Sequence, residues 1–98
     1  MNEMYKFTRN TLRVDSDNTS VLIPKASIEK FCMWVCPIDI SVRDEWVEAY
    51  KVEILVKLAH SSATYALCSK QCSTETAARE EGKRIIENLQ QEYENSCL

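Results

Sequence analysis

The stretches "CMWVC", Cys32 to Cys36, and "CSKQC", Cys68 to Cys72, each hold two cysteines separated by three residues. Four thiolates could close a structural zinc site, whose ligands commonly arrive as C-x2-4-C pairs on two tight turns, with sulfur about 2.3 Å from the metal. Zinc binding or redox sensing by these thiols is therefore the alternative chemistry to weigh for this chain. Geometry counts against it. Cys32 to Cys36 falls in an apolar run that reads as a strand, where residues four apart share a face but lie about 13 Å from each other. Cys68 and Cys72 straddle the end of a later strand and the approach to a helix, and two ligands alone hold zinc poorly. Free cysteine otherwise behaves as a small hydrophobe, so neither a metal nor another cofactor is expected.

His60 is the only histidine, in the motif "AHSSA". Imidazole titrates near neutral pH and could act as a general base beside Ser61 or Ser62. Its setting between two strands makes a hairpin tip, which is convex and offers no pocket. None of the five cysteines has neighbours in sequence that would create an electropositive, activating environment. Asp44-Glu45 and Glu80-Glu81 are sequence neighbours that point apart, so shared acid/base work is unsupported. A single glycine, Gly82, excludes the glycine-rich cradles of kinases, P-loop proteins and dinucleotide-binding proteins. The chain is expected not to be an enzyme.

These residues must be positioned by a small scaffold. Ninety-eight residues, 45% hydrophobic and 28% charged, predict a single folded domain over 1–98. The net charge is -3, and the twelve Lys and Arg are scattered with no run longer than two. Such a balance provides no footprint for a phosphate backbone, so direct nucleic-acid binding is disfavoured. The acidic cluster Glu75, Glu80, Glu81, Glu87, Glu92 and Glu94 is interrupted by Arg79, Lys83 and Arg84, as on a solvated helix face. No secretion signal is recognisable, and no apolar run approaches the ~20 residues that span a bilayer. The expectation is a cytoplasmic protein with reduced thiols and no membrane contact. Asn18-Thr19-Ser20 then reads as a turn, not as a glycosylation site.

Along the chain, Tyr5 and Phe7 alternate in a stretch that adds an edge strand or frays. Leu12 and Val14 alternate with polar neighbours, Asp15 to Asn18 supply turn formers, and Val21 to Ile23 resume a strand that closes at Pro24. The run Phe31 to Ile38 predicts a strand buried on both faces over part of its length. The segment "DISVRDEWVEAY" is ambiguous. Ser41 and Asp44 resemble a capping box, and Val42, Trp46, Val47 and Tyr50 share a helical stripe, yet Ile38, Ile40 and Val42 also alternate. A loop with a short helical turn is the expectation there. Val52, Ile54, Val56 and Leu58 alternate clearly, "AHSSA" turns the chain, and Tyr65 and Leu67 continue on a second strand.

From Ser73 the period changes to three and four: Ala78, Gly82, Ile85, Ile86, Leu89 and Tyr93 form one apolar stripe, with Ser73 or Thr74 as cap and Glu75 at the positive helix end. Gly82 on that stripe costs ~1 kcal/mol relative to alanine, for which close approach of helix to sheet would compensate. The predicted fold is α+β: an antiparallel sheet of four to five strands, built from hairpins as a β-meander, covered on one face by a single long C-terminal helix.

One helix covers only one side of a sheet. If it lies on Val52, Ile54, Val56 and Leu58, the opposite face carries Glu53, Leu55, Lys57, Thr64, Ala66 and Cys68. In "FCMWVC" both parities are apolar, so Trp34 or Met33 faces a partner, unless Tyr5, Phe7 and the Trp46 segment fold over it. Met33, Trp34, Trp46 and Leu55 are thus the candidate partner-binding residues, an apolar patch with a charged rim. The expected function is that of a small non-catalytic protein-interaction module, a regulator, adaptor or inhibitor, working through an exposed sheet face or edge strand on a protein partner or as a homodimer. A phage- or mobile-element-encoded inhibitor of a host complex fits the same size and acidity by association.

Overall fold

A computed structural model describes residues 4–16 and 18–97. The polar start at residues 1–3, Asp17 within the predicted Asp15 to Asn18 turn, and Leu98 lie outside the described residues. Six strands and one helix follow in order: β1 (Tyr5–Phe7), β2 (Thr11–Ser16), β3 (Thr19–Pro24), a 3-10 turn (Lys25–Ser27), β4 (Ile28–Val42), β5 (Glu45–Leu58), β6 (Thr64–Cys72) and α1 (Glu75–Asn95).

The architecture is α+β and all strand pairing is antiparallel, but the expected single sheet of four to five strands is two sheets of three, β1-β2-β3 and β4-β5-β6. The break falls at Pro24. Proline has no N–H to continue a ladder, and the following 3-10 turn takes the chain out of the first sheet. That turn is pinned on both sides: the Lys25 N–H donates to the Asn10 carbonyl at 2.9 Å, and the Ala59 N–H to the Ser27 carbonyl at 2.8 Å. The first hairpin forms where predicted, with Leu12 opposite Ile23 and Val14 opposite Val21, and Ser20 Oγ donating to Asp15 Oδ1 at 2.6 Å beside its turn.

The segment expected to be a loop with a helical turn is instead the far end of a long hairpin. β4 runs for fifteen residues and β5 for fourteen, paired without interruption from Lys30↔Lys57 to Val42↔Glu45. The β-branched residues Ile38, Ile40, Val42 and Val47 lose side-chain freedom in a helix but pack well on a pleated ribbon. Arg43 and Asp44 close it as a two-residue turn with φ of 51° and 65°. Positive φ at both positions matches the twist of the flanking strands, although neither residue is a glycine. β6 pairs with β5 only as far as Tyr50↔Cys72, so residues 38–49 extend beyond it as a two-stranded arm. The molecule measures 47 × 29 × 27 Å, and a fifteen-residue strand at ~3.3 Å per residue accounts for the long dimension.

The helix forms as predicted. Thr74 caps it, its hydroxyl accepting from the Ala77 N–H at 3.1 Å, and Ala78, Gly82 and Leu89 are buried on its inner stripe. One core joins the layers: Leu12, Val14 and Ile23 from the first sheet, Val52, Ile54, Val56 and Leu67 from the second, and Ala78 and Leu89 from the helix. Gly82 brings the helix against the sheet, since a Cβ there would lie 2.7 Å from Met33 Sδ and 3.0 Å from Val52 Cγ2. Close approach is therefore the compensation for a mid-helix glycine.

At the helix C-terminus, where no basic residue occupies the last turn, the charge comes from Lys25, 5% exposed. Its ammonium donates to the Tyr93 carbonyl at 3.3 Å, to the Ser96 hydroxyl and to Cys97 Sγ at 3.4 Å, and lies 5.1 Å from the centre of the Tyr93 ring. Those contacts complement the negative end of the helix dipole. The same corner is packed by Phe7, edge-on to Phe31 at 6.2 Å and to Tyr93 at 6.1 Å.

Candidate functional site

Alternation divides the second sheet into two unlike faces. Phe31, Met33 and Val35 of β4 and Val52, Ile54 and Val56 of β5 share register positions and pack into the core under the helix. The other face, from the end nearest β1 to the turn, carries Lys30 beside Lys57, Cys32 beside Leu55, Trp34 beside Glu53, Cys36 beside Lys51, Ile38 beside Ala49, Ile40 beside Val47, and Val42 beside Glu45. On β6 it continues with Thr64, Ala66, Ser69 and Gln71.

Among the described residues that face is only partly covered: Ala49 is buried at 3% exposure, while Cys32, Cys36, Ile38, Ile40 and Leu55 are half-buried. Trp34 at its middle is 56% exposed, and Val42 and Val47 on the arm are 45% and 43% exposed. The expectation that β4 is buried on both faces is therefore corrected, because the helix and the first sheet both pack on the same side. Tyr5 and Phe7, which could have formed a second small core, join the helix side instead, and the Trp46 segment continues the hairpin.

The four candidate residues divide between faces. Trp34 and Leu55 are on the open face one row apart. Met33 is not with them: it lies on the covered face, its sulfur against Gly82. Trp46 is opposite Ser41, on the helix side of the arm but beyond the helix, and is 76% exposed. Ile38, Ile40, Val42 and Val47 extend the open apolar strip along the arm. Their alternation was visible in the sequence, but the capping-box pattern at Ser41 and Asp44 competed with it.

The cysteines separate as well. Cys32 and Cys36 point to the open face, four residues apart on a continuous strand, at roughly 13 Å by strand rise. Cys68 was expected on that face too. A β-bulge corrects this: Ile54 pairs with Cys68 and Leu55 with Ala66, so Leu67 is the extra residue, and one extra residue reverses the parity beyond it. Cys68 and Cys72 thus pack against the core, with the sheet between them and the other pair. Burial pushes the Cys68 thiol up from its ordinary value, the direction that suppresses thiolate chemistry. No group of three or more metal-ligating side chains is brought together among the described residues. His60 is exposed in the β5–β6 turn and lines neither of two shallow depressions near the helix C-terminus, one bounded by Phe7 and Ser96 and the other by Ile28 and Tyr93.

Charges on the open face are placed at its ends and middle. Lys51 and Glu53 pair with each other at 3.4 Å, and Lys57 pairs with Glu29 at 3.3 Å. No helix among the described residues is long and apolar enough to cross a membrane. Comparisons with protein families, with curated proteins and with solved structures returned no match to this chain.

Proposed function

We propose that this protein is a small non-catalytic interaction module whose working surface is the open face of β4–β6. One observation carries the proposal: Trp34, 56% exposed, stands in the middle of a strip of apolar β4 side chains from Cys32 to Val42, with charged residues at its ends and the Lys51–Glu53 pair beside it. Contiguous apolar patches of more than a few hundred Å2 are unusual on isolated proteins and mark surfaces that another molecule covers. Tryptophan in such a setting is a frequent anchor of binding energy. The separation of the four thiols onto two faces leaves the zinc or redox alternative with no convergent site to support it.

The test compares the wild-type chain with Trp34→Glu, as baits in the native host's extract and for self-association. Because Trp34 is 56% exposed and lies on the face opposite the helix, the variant is expected to melt within a few degrees of wild type while losing the association. Should every association, with itself or with other proteins, survive Trp34→Glu, the open face is not the working surface.

A further inference from the structure

We propose that the open face of β4–β6 is occupied by a second copy of this chain, packed face to face with strands antiparallel and the Cys36 row on the two-fold axis. This rests on the open face being the working surface and adds what covers it. In an isologous contact each residue meets its counterpart reciprocally, so the strip must complement itself when reversed. Its rows do.

With Cys36 at the axis, the basic row of Lys30 and Lys57 lies against the row of Val42 and Glu45 and the adjoining Asp44 of the turn. The row of Cys32 and Leu55 lies against Ile40 and Val47, and the row of Trp34 and Glu53 against that of Ile38 and the buried Ala49. A single reversal matches opposite charges at both ends and the apolar side chains of β4 between them, with the Lys51–Glu53 pair of β5 at the middle. Stacking in the same direction would instead set Lys30 and Lys57 over their own copies. Lys51, which shares the axial row, is already neutralised by Glu53 at 3.4 Å. The bond from Lys57 to Glu29 is between half-exposed groups and so competes weakly.

Two further observations favour a second copy. The arm beyond Tyr50 has neither a third strand nor the helix behind it, and a bare two-stranded ribbon is marginal in water. Against a partner's β4–β5 it gains a second layer in the aligned sheet packing found about 10 Å apart. The face from Lys30 to Val42 is ~40 Å long and ~10–14 Å wide by strand spacing, on the order of 500 Å2 per copy. Doubled, that reaches the ~1,000 Å2 which a specific interface requires.

Sedimentation equilibrium of the full chain at low ionic strength is expected to give a dimer. Each rim contact occurs twice, so Glu45→Lys, and separately Lys30→Glu with Lys57→Glu, should each raise the dimer Kd about tenfold. Combining all three should bring it back to within about threefold of wild type. In a variant keeping Cys36 as the only cysteine, a bismaleimide spanning about 10 Å, the separation of packed sheets, should link two chains. A wild-type chain that stays monomeric at hundreds of micromolar overturns the inference. So does a triple variant no tighter than its parents, or a Cys36 that takes up reagent without linking chains. If the wild type is monomeric but Trp34→Glu still loses a foreign protein that wild type captures, only the second copy falls and the open face stands.

Discussion

Replacing Gly82 by alanine sets two known effects against each other at one atom. In an exposed helix interior the change stabilises by ~1 kcal/mol, because alanine loses less backbone entropy. Here the new Cβ would lie 2.7 Å from Met33 Sδ and 3.0 Å from Val52 Cγ2, and inserting a methyl group into a filled interior costs ~1–3 kcal/mol. The two neighbours yield unequally. Met33 can swing its thioether aside, but Val52 is fully buried in the central strand of the sheet, with a branched side chain stiff at χ1. The helix must therefore move outward by a few tenths of an ångström, loosening Ala78 and Leu89 as well. The expected net effect is a loss of about 1 kcal/mol, or roughly 4–8 °C in Tm for a domain of this size. Urea unfolding at one fixed chain concentration measures it. In a Met33→Ala background one of the two contacts disappears, and the cost of Gly82→Ala should shrink by about 1 kcal/mol, a coupling typical of touching residues. If Gly82→Ala instead stabilises the wild type by the full helix-propensity gain, the helix does not approach β4 and β5 this closely and the account of Gly82 is wrong.

Two further perturbations probe the C-terminus of the helix and its ion pair with β6. Lys25→Met keeps much of the side-chain volume but removes an ammonium that donates to the Tyr93 carbonyl and Ser96 hydroxyl. A loss of roughly 2 kcal/mol is expected, with faster amide exchange over residues 92–97, and an equally stable variant would show that Lys25 is not the helix's C-terminal charge. Glu81 accepts hydrogen bonds from Arg84 and from Lys70 of β6, which together lower its carboxyl from 4.5 to about 2. Since the folded value is below the unfolded one, this contribution is complete above about pH 4.5 and is lost as pH falls from there through about 2. The Tm gap between wild type and Glu81→Gln should therefore be present at pH 7 and close on acidification, and a gap that is the same at pH 7 and pH 2 would refute the assignment.

What could be read from the sequence was whatever one period decides. The helix from Ser73 onward, the alternation of Val52, Ile54 and Val56, and the first hairpin each carry a single unmixed pattern, and each forms where that pattern places it. Three features depended on something other than period. The arm over residues 38–49 was obscured because Val42, Trp46, Val47 and Tyr50 also satisfy a helical spacing, and its turn, Arg43-Asp44, lacks the glycine that usually announces a two-residue hairpin. The parity of Cys68 was set by the Leu67 bulge, an extra residue that nothing in "TYALCSK" reveals. Lys25 reads as a surface lysine until the helix C-terminus, sixty-eight residues away at Tyr93, is brought over it.

The mixed composition of "FCMWVC" was itself informative, because it posed a problem of cover that the rest of the chain had to solve. Every apolar element able to supply that cover, the helix stripe, Tyr5 and Phe7 of β1, and the inner residues of β2 and β3, packs on one side, against Phe31, Met33 and Val35. Met33 is thereby removed from the candidate surface, and Trp34 is left on it with Leu55 and the arm. The arm strengthens the case in a way that Trp34 alone could not. A lone exposed tryptophan is an ordinary surface feature. Two strands extended five residue pairs beyond their last neighbour, with Ile38, Ile40, Val42 and Val47 on the same side and only Ala49 at their base buried, are an extension that contributes little to the core below it. Such a ribbon gains most of its stability only when a second apolar surface lies against it.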